Sequence, residues 1–159
     1  MDGDHTSLEI GDLITLRGVM AQLRAPGKKQ VLQELARRAA TVTGIADKGI
    51  FDALVERERL GTTGIGGGVA VPHCRLPELD RLYGMFARLE RPIPFEAIDD
   101  QPVDLVFLLL APLEAGAEHL KALARVSRLL RDKAMCEKLR GANSADALYA
   151  LLTNGGATG

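Results

Sequence analysis

Aromatic side chains are scarce in this chain of 159 residues: they make up 4%, with four Phe, two Tyr and no Trp. A core must therefore be filled by Leu, Val, Ile and Ala, and the 47% hydrophobic content is enough to build one. Cysteine is nearly absent too. Cys74 and Cys136 stand far apart with no CxxC, which excludes a zinc knuckle and a thioredoxin-like site and fits a reducing compartment. Excess charge is lacking: 20 basic against 21 acidic residues leave a net charge of −1. Nucleic acid and a polybasic membrane anchor are poor fits to that balance. The longest uncharged apolar run, Leu105 to Leu113, is far too short for a membrane span, and Met1 to Ser7 has no apolar signal segment. A cytoplasmic protein with no membrane insertion is the expectation.

What the chain does have is glycine, concentrated in one place. Residues 61–75 read Gly-Thr-Thr-Gly-Ile-Gly-Gly-Gly-Val-Ala-Val-Pro-His-Cys-Arg. Glycine is conformationally costly, so a cluster implies positive φ or close backbone approach. Val69 to Val71 suits a short buried strand, and Pro72 is expected to end it. His73 then stands at the strand mouth, beside a loop whose successive N–H groups can form an anion-binding concavity. The plainer reading is a flexible turn between a helix and a strand. Nucleotide fingerprints fail on the residues. G-x-G-x-x-G starting at Gly64 meets Val69 where glycine is required, and no Gly-Lys-Ser/Thr exists.

Around that stretch the pattern alternates helices and strands. Leu8 to Leu16 suggests a helical turn, and Val19 to Leu23 a short edge strand. Val31, Leu35, Ala39 and Val42 predict a helix from Lys28 that stops at Gly44. Asp47 is a candidate cap for a second helix to Leu60, ended by Gly61. Leu76 to Asp80 reads as a turn, Tyr83 to Leu89 as a strand, and Arg91-Pro-Ile-Pro as extended chain. Val103 to Ala111 is apolar enough to be buried on both faces. Helices follow over Glu118–Arg131 and Lys133–Arg140, and a last one is capped by Ser144 with Gly155 beyond its end. The expected class is α/β, a small sheet between helices, in a single domain over 8–153, with flexible ends at 1–7 and 154–159.

Three side chains carry the chemistry. A neutral imidazole such as His73 keeps a lone pair at pH 7 and can accept and pass on a phosphoryl group. His119, at the start of the helix after the buried strand, lies where α/β sites gather, although an exposed helix-start histidine is the alternative. Arg57, on the helix before the glycine loop, offers a fork of donors for phosphoryl oxygens, or a salt bridge with Glu56 or Glu58. Arg75 has the same two readings. His73 with Cys74 as a thiol or metal pair is disfavoured, because neighbours on an extended segment point to opposite faces.

These residues also carry a resemblance. Thr63-Gly-Ile-Gly-Gly-Gly-Val-Ala-Val-Pro-His73 is similar to the active-site motif of the fructose/mannitol/nitrogen-type enzyme IIA of the bacterial phosphotransferase system. Arg91-Pro-Ile-Pro-Phe-Glu-Ala-Ile-Asp-Asp-Gln-Pro-Val-Asp-Leu-Val-Phe, His119-Leu-Lys-Ala-Leu, Leu139-Arg and Ala147-Leu-Tyr extend it over roughly residues 8 to 153. The nitrogen-regulatory branch matches best. The resemblance implies a mixed, mostly parallel small sheet with helices on both faces, and a phosphotransferase component with a phosphohistidine at His73 and no cofactor or metal. It also implies that His119 assists phosphoryl binding and that Arg57 lies near the site. Thr63, Gly64, Gly66, Gly67 and Gly68 are the expected phosphate loop. The implied donor is a phosphorylated histidine carrier protein, with regulatory output through protein binding. A sugar-transport IIA subunit and a binding module that no longer transfers phosphate are the alternatives. One departure stands out: the residue after the active histidine is commonly glycine, and here it is Cys74, a side chain that could crowd a partner or add redox sensitivity.

Overall fold

The computed structural model describes residues 8–158. Residues 1–7, where a flexible start is expected, lie outside that range. The order is α1 (Ile10–Leu13), β1 (Ile14–Leu23), α2 (Lys28–Thr43), α3 (Asp47–Leu60), β2 (Gly64–Gly66), β3 (Val69–Ala70), β4 (His73–Leu76), β5 (Tyr83–Ile93), β6 (Val103–Pro112), α4 (Gly116–Arg131), α5 (Lys133–Gly141) and α6 (Ala145–Thr158).

One mixed sheet runs β1-β5-β6-β3-β2, with β4 also paired to β6. The β1–β5, β3–β6 and β4–β6 pairings are parallel, and β2–β3 and β5–β6 antiparallel. β6 is central and its alternation serves both faces. Val106, Leu108 and Leu110 join the core beneath α2 and α3. Leu105, Phe107 and Leu109 join the core beneath α4, α5 and α6. A strand buried on both sides can hold no polar side chains in its middle, which is why it reads as a continuous apolar run.

Several boundaries differ from the sequence expectation. β1 lies at the sheet edge as expected, but it takes in Ile14 to Gly18 as well, because α1 is only four residues long. β5 continues through Pro92, in a stretch where its register with β6 shifts between Arg88 and Ile93. A shifted ladder tolerates the missing proline N–H. Gly44 ends α2 in the left-handed conformation and Gly61 ends α3. Asp47 is the first helical residue of α3 rather than its cap; Ala46 holds the cap position. Ser144 does cap α6, accepting from the Ala147 N–H at 3.1 Å. α6 itself runs past Gly155 to Thr158.

Pro72 does not end the pairing. β3 and β4 lie end to end on the same edge of β6, Val69 opposite Leu105 and His73 opposite Leu109. The Pro72 carbonyl accepts from the Leu109 N–H at 3.0 Å, so the ladder loses only a donor there. His73 thus opens a strand, β4, which runs up to Leu76, where a turn is expected.

Candidate functional site

β4 alternates. Cys74 and Leu76 are buried toward α2 and α3, so His73 and Arg75 face the other way, with His73 half-buried and Arg75 exposed. On that side α4 begins after β6, and its first turn carries His119, 5% exposed. The two imidazoles meet edge to face, centroids 5.4 Å apart at 76°. His119 is therefore a buried partner of His73 rather than an exposed helix-start residue.

Both nitrogens of His73 are engaged, and one of His119 is. His73 Nδ1 lies 2.9 Å from the Val71 carbonyl. A carbonyl only accepts, so Nδ1 carries the proton and Nε2 keeps its lone pair. Arg57 Nε donates to that Nε2 at 3.2 Å, while its Nη1 donates to the Gly61 carbonyl at 2.9 Å. Arg57 is thus tied to the site and not to Glu56 or Glu58. His119 is the mirror case. Its Nδ1 accepts from Arg75 Nε at 3.4 Å, and its buried Nε2 has no partner. Burial pushes the His119 imidazolium down to about 4, with His73 and Arg75 adding smaller pushes in the same direction. Burial also lowers His73; the bond to Val71 opposes this, and Arg57 assists it. Both rings are neutral at pH 7.

Glu58 braces the chain entering the site. Its carboxylate accepts from the Thr63 hydroxyl and, at 3.2 Å, from the Thr63 N–H. Lys28 pairs with it at 2.9 Å. The Gly64 N–H goes to Thr62 Oγ1 at 3.0 Å.

Of the expected phosphate loop, the structure brings none of the three consecutive glycines to His73. Gly66, Gly67 and Gly68 have positive φ and form the tight turn between β2 and β3. The Gly67 N–H is taken by Asp99 Oδ2 at 3.0 Å, and its carbonyl by Arg140 Nη2 at 2.8 Å. Gly68 lies beside Leu105, four residues back along β6 from the partner of His73, about 13 Å at a strand's rise. Thr63 and Gly64 support the site through the bonds above; their N–H groups are engaged. The groups that meet at His73 are the Val71 carbonyl and the side chains of Arg57, His119 and, through His119, Arg75. Sequence reading left Arg75 out of the site set and missed Glu58 and the Val71 carbonyl. The period-2 spacing of His73 and Arg75 was the available signal.

Cys74 corrects another expectation. Its side chain lies in the core, 7% exposed, and burial pushes its thiol up to about 12. It does not project toward an approaching partner and offers no thiolate. His73 and Cys74 lie on opposite faces of β4.

Residues 12–155 match the family model described as the phosphoenolpyruvate-dependent sugar phosphotransferase system, EIIA 2. The chain belongs to this EIIA type-2 family. Within it, the chain is 54% identical over 145 residues to a nitrogen regulatory protein of Bradyrhizobium diazoefficiens, covering 91% of this chain and 95% of the relative. It is 37% identical over 155 residues to that of Escherichia coli K12, covering 97% and 95%. The crystal structure of nitrogen regulatory protein IIA-Ntr from Neisseria meningitidis matches with a TM-score of 0.86 at 33% identity, over 91% of this chain and 99% of that one. IIA mannitol from Escherichia coli, 21% identical with a TM-score of 0.72, shares the fold. This EIIA type-2 chain thus sits with the nitrogen-regulatory IIA proteins, components of a phosphotransfer system. No helix among its described residues is long and apolar enough to cross a membrane.

Proposed function

We propose that the protein is a phosphoryl carrier that accepts the group on Nε2 of His73 from a phosphorylated histidine carrier protein, and that the charged and uncharged forms signal through protein contacts. The observation that carries this reading is the division of roles on the His73 ring: Nδ1–H held by Val71, and the Nε2 lone pair directed at Arg57.

In the transfer, Nε2 attacks phosphorus in line while the bond from phosphorus to the donor's imidazole breaks. The electron pair of that bond leaves with the donor ring. Positive charge developing on the His73 ring is stabilised by Nδ1–H donation to Val71. Arg57 first shields the lone pair, then turns its donors onto the equatorial oxygens, where charge-assisted bonds are strong. The unpartnered Nε2–H of His119 supplies a further donor at 5.4 Å ring separation.

The donor is a protein in this reading because His73 is half-buried at a surface rimmed by apolar side chains. Leu60, Leu113 and Leu120 are 81%, 53% and 66% exposed, on the segments that end in or start from the site. A phosphoryl group adds about two negative charges to that rim, enough to change which partners it accepts. The regulatory rather than sugar-transport role rests on the names of the relatives.

The test is direct. The protein is incubated with phosphoenolpyruvate, enzyme I and the histidine carrier, and its intact mass is measured. One acid-labile phosphoryl group is expected, absent in His73→Ala. No gain while the carrier is charged would overturn the proposal.

A further inference from the structure

Arg75 and His119 stand in a relation that the transfer reaction alone does not explain. Arg75 is exposed on β4, yet its Nε–H is aimed at Nδ1 of a buried histidine on α4 at 3.4 Å. A guanidinium only donates. Nδ1 of His119 must therefore hold a lone pair, and the proton of the neutral ring must sit on Nε2. That Nε2 is buried without an acceptor. An unmatched buried donor costs stability, and a structure keeps one where an acceptor arrives later. The ring beside it is His73, edge to face at 5.4 Å.

We infer that Arg75 is a positioning residue that selects the Nε2–H form of His119 and so aims a neutral N–H donor at the phosphoryl group carried on His73. The inference rests on the carrier reading for its purpose, but the pairing itself is a property of the uncharged protein. In the opposite tautomer, His119 would present a lone pair to an anionic group, and the contact would turn repulsive. Arg57 and Arg75 then do parallel work: each donates from Nε to one nitrogen of one histidine. Arg57 covers the nucleophile, whereas Arg75 defines the donor.

Two measurements test this. The first is nitrogen-15 NMR of the unphosphorylated protein at mildly alkaline pH. Wild type is expected to show His119 in a single form, protonated at Nε2. Arg75→Met, of similar length and at an exposed position, is expected to show a mixture of both tautomers. Arg75→Lys, which keeps a donor, restores the single form. A single Nε2–H form in Arg75→Met would overturn the inference.

The second is single-turnover phosphoryl transfer from the charged histidine carrier. Arg75→Met is expected to slow it about ten-fold, the worth of one good hydrogen bond, and Arg75→Lys to recover most of the loss. His119→Gln presents an amide in place of the ring and has no tautomer to select. In that background Arg75→Met is expected to cost almost nothing more. An undiminished ten-fold cost there would mean that Arg75 acts on the phosphoryl group or the donor directly, and the inference falls. Absence of transfer to wild type would instead overturn the carrier reading, leaving the NMR result to decide the Arg75–His119 relation.

Discussion

Arg57 Nε donates to His73 Nε2 at 3.2 Å, so the lone pair read as the nucleophile is covered in the resting protein by a cation anchored through Gly61. The arginine sits at the end of α3 and the histidine at the start of β4. Three residues, Gly61 to Thr63, turn the chain out of α3 and into the β2–β3 hairpin that returns it to the same place. Glu58 holds that return by accepting twice from Thr63.

Removing the cover removes the oxyanion contact as well. Arg57→Ala is expected to slow phosphoryl acceptance about 100-fold while leaving the thermal transition near that of wild type. Single-turnover kinetics beside calorimetry check both halves. Wild-type rates in the variant would end Arg57's role.

Protonation of His73 destroys the nucleophile. Burial holds its folded-state value below 6.5. Acceptance is therefore expected to fall to half its plateau only at a pH below 6.5. NMR titration of the ring in the uncharged protein gives the midpoint without interference from the donor; a midpoint above 6.5 contradicts the burial argument.

His119 makes a stability prediction. Its folded value, about 4, lies below the unfolded value of 6.5. Between those pH values the unfolded chain binds more protons, so stability falls as pH drops through that window, and below it the loss is complete. Urea unfolding of wild type and His119→Gln at several pH values tests this. The variant should show the shallower dependence on pH between 6.5 and 4.

Gly68 separates turn from catalysis. Its φ is +80°, and an added Cβ would collide with Arg140 Nη2 and meet Asp104 Oδ1 at 3.1 Å. Gly68→Ala is expected to cost about 2 kcal/mol of stability from positive-φ strain and a displaced ion pair. The folded fraction should still accept a phosphoryl group at the wild-type rate. A specific rate loss would return the glycines to the site.

Cys74 and Cys136 are both buried, and burial raises both thiols. A thiol reagent at pH 8 is expected to find neither in the native protein and both in denaturant. Rapid labelling of Cys74 would revive redox sensitivity at the site.

Much of this molecule follows from local rules that a sequence displays. The stripe of Val31, Leu35 and Ala39 defines α2. The unbroken run from Val103 to Ala111 defines a strand with two buried faces, and Gly44 and Ser144 mark helix ends through their own backbone or hydroxyl chemistry. His73, His119 and Arg57 were legible as chemically suited residues, and the motif around His73 pointed to their family. What the sequence left open depends on pairing and direction across distant segments. β4 is a strand because β6 offers it a ladder, although its own four residues carry no strand signal. Pro72 interrupts donation without ending the pairing. The glycines read as an anion nest; in the fold the Gly67 N–H goes to Asp99, and the run makes the hairpin turn between β2 and β3. Cys74 became a core residue once the pleat of β4 assigned it to the α2–α3 face. The tautomers of the two histidines were settled last, by a carbonyl two residues away for one and an arginine from another element for the other. A ring nitrogen's role is set by what lies across from it, and only the folded chain brings that partner into place.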